Sequence, residues 1–301
     1  MSFGGGELSA ALGQAIAEAL GARVTQSGYL SGGDINIALR CTLDDGRLVF
    51  LKTNNSAPKG MFHAEALGLE WLREAQTLQI PEVLAVSTPS DPEQFLVLEL
   101  LESGRRRADF DEVLGRGLAA LHRSLPAEVR FGLDHDNYIG RLPQGNNPGE
   151  AAATDWATFY VEQRLEPQLK LAQNSGLASS KLRHGFSKLL PKVADLVGDA
   201  EPASRLHGDL WGGNLHTSPS GEPVLIDPAA YAGHREMDLA MMRLFGGFGE
   251  GVFAAYEEAH PLSAGSRERL PLYQLYPLMV HVNLFGGSYV SSVEQQLKRL
   301  L

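Results

Sequence analysis

Asp209 and Asn214 stand five residues apart in the segment Leu206-His-Gly-Asp-Leu-Trp-Gly-Gly-Asn-Leu215. Asp227 follows thirteen residues later, at the end of the apolar run Val224-Leu-Ile226. Two carboxylates and one amide in that order suit phosphoryl transfer. One carboxylate orients an acceptor hydroxyl and takes its proton, while the amide oxygen and the second carboxylate hold Mg²⁺ across a triphosphate. On this reading Asp209 is the catalytic base, and Asn214 and Asp227 are the metal ligands. A polar loop capping a strand would also contain an Asp and an Asn. It would not require His207 and Gly208 ahead of the first carboxylate, or a strand ending at the second.

The spacing is that of protein kinases, with His-Gly-Asp in place of His-Arg-Asp and Asp-Pro-Ala in place of Asp-Phe-Gly. Such a site needs a lysine on an earlier strand and an acid on the next helix. Lys52 closes the run Val49-Phe-Leu51 and Glu65 falls in the following helical segment, so the pair is assigned to the phosphates. Gly32 and Gly33, ahead of a strand, would bring backbone N–H groups close to phosphate oxygens. Glu99, Leu100 and Leu101 lie where the chain changes character, and there an adenine would meet backbone hydrogen-bonding groups. Competing motifs fail. There is no Gly-Lys dipeptide and hence no Walker A loop. Gly115-x-Gly117-x-x-Ala120 lies within a helical pattern rather than after a strand. His63-Ala-Glu65 lacks the paired cysteines of a zinc deaminase, and Ser56-x-x-Lys59 lacks the partner motifs of a serine acyl-enzyme.

The elements that must position these groups follow from periodicity. An amphipathic helix starts near Leu8, with Leu8, Leu12, Ile16 and Leu20 four apart. Residues 24–53 read as hairpin-linked strands around Asp44-Asp45-Gly46. A helix follows over 62–74, then strands over 81–86 and 94–100. Beyond Leu101 helical patterns dominate, over 110–125, 155–173, 182–197, 236–245, 251–259 and 270–284. Short strand-like pieces interrupt them over 202–226. The fold class is therefore α+β, with residues 1–101 as a strand-rich nucleotide-binding lobe and 102–301 as a helix-rich catalytic and substrate-binding lobe. Segment 132–150 is rich in Gly, Asn and Pro and is expected to be a functional loop. Its Asn137, Gln144 and Asn146 offer neutral groups suited to substrate hydroxyls.

The chain has 301 residues, enough for two lobes and a substantial core. Lys and Arg number 26 against 36 Asp and Glu, a net charge of −10. That balance argues against nucleic acid as a main partner. The single cysteine, Cys41, excludes an internal disulfide and a cysteine-based zinc site. The expected setting is a reduced cytoplasm, without a signal peptide or a membrane span.

Further segments carry a family resemblance. His207-Gly-Asp-Leu-Trp-Gly-Gly-Asn214, Ile226-Asp-Pro-Ala-Ala-Tyr231, Gly233-His-Arg-Glu-Met-Asp-Leu-Ala-Met241 and Leu244-Phe-Gly-Gly-Phe248 resemble the fructosamine (ketosamine) 3-kinases. Asp136-Asn-Tyr-Ile-Gly140, Trp156-x-x-Phe159-Tyr, Tyr273-Gln-Leu-Tyr-Pro-Leu278 and Leu284-Phe-Gly-Gly-Ser-Tyr289 extend the match over nearly the whole chain. The His-Gly-Asp core is shared with aminoglycoside phosphotransferases and choline kinases. The resemblance implies a protein-kinase-like two-lobe fold and ATP- and Mg²⁺-dependent phosphorylation of the 3-hydroxyl of a ketosamine. The acceptor would be a small molecule or a glycated protein lysine, released from its sugar when the phosphorylated adduct decays. Another hydroxyl acceptor, such as an aminoglycoside, choline or a free sugar, is the rival. Some members carry a redox-active cysteine in the glycine-rich loop, where this chain has Asp34. Trp211 is expected to stack on a sugar face. His234 is a substrate candidate against a capping or core role. Asp238 is expected to anchor the catalytic loop through backbone hydrogen bonds. His281, Phe285 and Tyr289, at helical spacing, are expected to pack in the core.

Overall fold

A computed structural model describes residues 8–30 and 36–301. Helix α1 (Ala10–Leu20) opens the described chain, capped by Ser9, whose hydroxyl accepts from the Leu12 N–H at 3.1 Å. Strands β1 (Val24–Tyr29), β2 (Ile37–Leu43) and β3 (Leu48–Thr53) follow. Helix α2 (Met61–Arg73) precedes β4 (Val83–Val86) and β5 (Phe95–Glu99). The five strands form one antiparallel sheet in the order β1-β2-β3-β5-β4.

The period of two in these strands sorts the sheet into two faces and decides where Lys52 points. Leu39, Cys41 and Leu43 of β2, Val49 and Leu51 of β3, and Phe95 and Val97 of β5 are buried with Leu12 and Ile16 of α1. The alternate residues, Ala38, Phe50, Lys52 and Leu98, turn to the opposite face and line a cleft. Each Leu or Val fully buried under α1 stabilises the fold by ~1.5–3 kcal/mol. Shifting the β3 register by one residue would send Lys52 into that apolar layer.

The remainder is mostly helical. In order come α3 (Phe110–His122), the short hairpin β6 (Asn137–Ile139) and β7 (Leu142–Gln144), α4 (Glu150–Thr154), α5 (Trp156–Phe159), a π-helical turn (Tyr160–Leu165), α6 (Glu166–Asn174), α7 (Ser180–Leu189) and α8 (Val193–Leu196). Then follow β8 (Ser204–Leu206), β9 (Leu215–Thr217), β10 (Pro223–Leu225), β11 (Tyr231–Gly233), α9 (Glu236–Phe245), α10 (Glu250–Ala259), α11 (Ser266–Phe285) and α12 (Val290–Leu300). Three two-stranded ribbons, β6-β7, β9-β10 and β8-β11, carry the loops of interest. Helix α11 is buried on all sides from Leu272 to Val280, so it forms the axis of this half.

Three features depart from the sequence-based expectation. The helix expected over 155–173 contains the π turn, which inserts Arg164 into the core beneath Tyr231. The expected irregular loop over 132–150 contains the paired β6-β7 hairpin. Helix α12 was not expected, although Val290, Val293, Leu297 and Leu300 recur at helical spacing. It packs with Leu182, Phe186 and Leu189 of α7 and with α11.

The strand-rich and helix-rich parts share one core. Met61, Phe62, Leu69, Leu96 and Leu98 cluster with Leu114, Leu118, Leu210, Leu225 and Met242. The Leu225 N–H donates to the Gln79 carbonyl at 3.0 Å, a backbone tie between the two parts. Among the described residues no helix is long and apolar enough to cross a membrane.

Candidate active site

Two loops meet under the sheet. The first, 207–214, leaves β8 and the second, 226–230, leaves β10. His207 joins them. Its Nε2–H donates to the Ile226 carbonyl at 2.9 Å, and its Nδ1 accepts from the Asp209 N–H at 3.3 Å. Burial lowers the His207 pKa, so the ring stays neutral and keeps the tautomer these bonds require. Gly208 has φ +82°, and a Cβ there would lie 2.0 Å from the Ala229 carbonyl oxygen, so no other residue fits.

Asp238, in the first turn of α9, anchors the first loop as expected. Its carboxylate accepts from the N–H groups of His207 and Gly208 at 2.8 and 2.9 Å. His122 of α3 lies 3.3 Å from the same carboxylate through Nε2, and its Nδ1 is 2.8 Å from the Tyr256 hydroxyl. Burial alone would raise the Asp238 pKa, but His122 and the loop N–H groups outweigh it and hold the carboxyl below its usual range.

Asn214 connects the two carboxylate positions. Its Nδ2 donates to Asp209 Oδ2 at 3.1 Å and to the carbonyls of Asp209 and Asp227 at 2.8 and 3.3 Å. With the amide nitrogen so committed, Oδ1 faces away from these partners. Asp227 adopts φ +56°, a left-handed conformation unusual for a non-glycine residue. Its Oδ1 lies 2.7 Å from Lys52 Nζ, and the same ammonium lies 2.8 Å from Glu65 Oε1. Burial would depress the Lys52 pKa, but the two carboxylates raise it above the ordinary lysine value, so the ammonium is fully charged. Glu65 is raised, chiefly by burial. Asp209 is pushed up to about 7, first by desolvation and then by the neighbouring carboxylates of Asp227 and Asp238.

These groups line one cleft of about 910 Å³. Glu99, Leu100 and Leu101 form part of its wall after β5, as do Trp211, Asn137, Asn214 and Asp227. Trp211 is 43% exposed, its ring lying over Gly213. Gln144, Asn146 and His234 do not line the cleft. Gln144 and Asn146 are buried at 1% and 0% exposure, and their side chains bond within the protein rather than toward a substrate. Asn137 borders the cleft, but its amide nitrogen is spent on the Ala230 carbonyl at 2.7 Å. His234 stacks on Tyr273 with ring centroids 5.2 Å apart, a core position. Gly32 and Gly33, with Asp34, lie outside the described residues. Cys41 is buried in β2 and burial lifts its thiol to about 11, which keeps it unreactive.

The aromatic group on α11 departs from the expected core packing. Phe285 is 51% exposed and lines the cleft with His281, Pro277, Val280 and Leu284. His281 stacks on Phe245 with centroids 4.3 Å apart and lies 5.0 Å from Tyr289. Its Nδ1–H donates to the Pro277 carbonyl at 2.8 Å, which leaves Nε2 as an acceptor. Helical spacing alone does not distinguish a buried stripe from one that ends at a cleft. The glycines Gly286 and Gly287, which stop the helix at its exposed end, were the available signal.

Comparison with known proteins finds relatives over most of the chain. The fructosamine kinase family model matches residues 8–301. A chloroplastic protein-ribulosamine 3-kinase of Arabidopsis thaliana is 38% identical over 279 residues, covering 92% of this chain and 83% of that protein. A Synechocystis protein named as a candidate ketoamine kinase is 40% identical over 284 residues, covering 93% and 91%. The crystal structure of a candidate fructosamine-3-kinase from Thermobifida fusca superposes with a TM-score of 0.84 at 36% identity, covering 96% of this chain and 98% of that one. An aminoglycoside phosphotransferase solved with AMP-PNP and hygromycin B shares the fold, with a TM-score of 0.62 at 18% identity over 97% and 98% of the two chains. The two-lobe architecture is thus that of protein-kinase-like phosphotransferases, and the chain belongs to the fructosamine kinase family.

Proposed function

We propose that the protein transfers the γ-phosphoryl group of ATP to the 3-hydroxyl of a ketosamine, with Asp209 as base and Mg²⁺ held by Asn214 and Asp227. The observation that carries this reading is the single amide of Asn214 bridging Asp209 and the Asp227 loop, with Lys52 already on Asp227. Residues 1–101 serve as the nucleotide-binding lobe and 102–301 as the catalytic and acceptor lobe. The adenine takes the backbone groups of Glu99 to Leu101.

The residues fit a hard divalent ion. Asn214 Oδ1 and Asp227 Oδ2 are oxygen donors with no protein donor on them among the described residues, and no sulfur or imidazole stands with them. Two protein oxygens leave the remaining positions of such an ion to phosphates and water. When bound, Mg²⁺ neutralises charge on the triphosphate.

Asp209 aligns the substrate hydroxyl through Oδ1, its Oδ2 being occupied by Asn214. The hydroxyl oxygen forms a bond to the γ-phosphorus as the bond to the β,γ-bridging oxygen breaks. The proton passes to Asp209 and ADP leaves. Lys52, steadied by Glu65, meets the phosphates. Most of the acceleration is positioning and charge stabilisation. Trp211, His281 and Phe285 form the acceptor wall, their faces suited to a sugar chain and His281 Nε2 to one hydroxyl. The α9 and α11 residues of that wall include no carboxylate, which disfavours the cationic rivals, aminoglycosides and choline.

A reduced cytoplasmic setting is part of the proposal, with a ketosamine small molecule or glycated lysine as partner and neither nucleic acid nor membrane. ADP release coupled to a reporter, measured on ribulose-lysine and fructose-lysine against aminoglycosides, choline and free sugars, tests it. Turnover confined to the ketosamines is expected. Turnover only on another class would overturn the acceptor assignment.

A further inference from the structure

Gln144 of β7 has both of its amide hydrogens and its oxygen committed inside the protein, and the partners are unusual. Nε2 donates to Asn137 Oδ1 at 2.8 Å and to the Ala229 carbonyl at 3.0 Å, while Oε1 accepts from the Tyr276 hydroxyl at 2.6 Å. Asn137 Nδ2 in turn donates to the Ala230 carbonyl at 2.7 Å. Two side-chain amides from one hairpin therefore hold two successive carbonyls, and these lie two and three residues beyond Asp227. The Ala229 carbonyl and Asn137 Oδ1, which can only accept, fix the orientation of the Gln144 amide, and the Tyr276 hydroxyl completes it by donating to Oε1.

The clamped segment follows a residue whose conformation needs support. Asp227 sits at φ +56°. A non-glycine residue held there costs about 1–3 kcal/mol and persists only where its surroundings over-determine it. Ala229 is fixed from three sides. Its carbonyl oxygen takes Gln144, its N–H donates to the His207 carbonyl at 3.0 Å, and it abuts Gly208, where a Cβ would come within 2.0 Å. The clamp therefore ties the loop of Asp227 to the loop of Asp209. An apolar side chain would fill the same space but leave the Ala229 carbonyl, Asn137 Oδ1 and the Tyr276 hydroxyl without this partner, so the amide holds the loop as well as filling the core. The hairpin does not need these amides, because β6 and β7 pair through their own backbone.

We propose that Gln144, locked by Tyr276 and acting with Asn137, is a positioning residue that sets the Asp227 carboxylate for Mg²⁺–nucleotide. The proposal rests on the reading of Asp227 as a divalent-ion ligand given above. It reassigns two amides expected to meet the substrate to the support of the metal loop.

The test is calorimetric, on the full chain, with a β,γ-imido ATP analogue titrated in Mg²⁺ and again in EDTA. The ratio of the two dissociation constants measures how far the ion tightens nucleotide binding. Gln144→Leu is expected to lose about tenfold of that enhancement, as outer partners of metal ligands typically do, with the EDTA value within about twofold of wild type. Tyr276→Phe, which removes one hydroxyl, is expected to lose a smaller part, and it reads the same ratio should Gln144→Leu fail to fold. Asp227→Ala is the control. If Asp227→Ala loses the enhancement while both clamp variants keep it, or if they weaken both constants equally, the clamp has no positioning role. If Asp227→Ala itself keeps the enhancement, the metal assignment falls and takes the clamp with it.

Discussion

Burial lifts the Asp209 carboxyl to about 7, while Asn214 holds one of its oxygens. A base must be ionised, so kcat/KM, which reports the free enzyme, is expected to fall as pH drops below about 7. A divalent ion beside the carboxylate favours its charged form, so the corresponding limb in kcat should lie at lower pH. Parallel pH profiles of the two constants check this, and coincident limbs would argue against Asp209 titrating. Asp209→Asn should lower kcat by ~10²–10⁴-fold with nucleotide affinity little changed. It should also raise Tm at pH 8. A carboxyl with a raised folded pKa binds more protons folded than unfolded, so its ionisation above about 7 opposes folding, and the amide removes that penalty. At this scale the sequence was most legible in which side chains would meet, since Asp209, Asn214, Asp227, Lys52 and Glu65 do converge. It was least legible for Gln144 and Asn146, because an amide serves a backbone carbonyl as readily as a sugar hydroxyl.

Among the elements, the strands were readable because one face had to meet α1 and the other the cleft, which writes a period of two into β2, β3 and β5. The interruption of the helix at Tyr160–Leu165 was not readable, since the apolar pattern continues through it and only packing selects the wider turn. Helix α12 was overlooked although its apolar positions are regular, its polar residues Ser291, Ser292, Glu294 and Gln295 masking them. The contact between α9 and α11 depends on a buried ion pair, Arg269 to Glu236, with nitrogen–oxygen distances of 2.6 and 3.0 Å. Arg269→Ala would strand the Glu236 carboxylate at 2% exposure and is expected to destabilise by about 3–5 kcal/mol. Adding Glu236→Gln should recover part of that loss. Urea unfolding of the single and double variants checks it, and strict additivity would mean the pair is not coupled.

For the molecule as a whole, four histidines enter the fold neutral, His281 among them through burial. Burial lowers His207, and holds His234 and His260 at about 4 against an ordinary value near 6.5. The unfolded chain binds more protons between those limits, so stability is fully present above about 6.5 and is lost as pH falls toward 4. The raised Asp209 carboxyl works in the opposite direction over the same window, so the check is differential: thermal melts should show His234→Asn losing less Tm than wild type as pH falls from about 6.5 to about 4. The change from strand-rich to helix-rich elements after β5 was legible from the change in periodicity near Leu101. The apolar cluster from Phe62 and Leu98 to Leu118 and Met242 was not, because contacts between distant segments leave no local pattern.

The bridge from Lys52 to both Glu65 and Asp227 bears on how such a catalyst would be controlled. Its lysine–glutamate pair is closed, and α2 packs through Gly68, where an added Cβ would lie 3.5 Å from Ala230 and 3.7 Å from Pro228. With the pair already made, α2 needs no covalent signal to bring Glu65 to Lys52. A catalyst built this way would answer to how much sugar-modified amine reaches it, as a repair activity does, rather than to a relay.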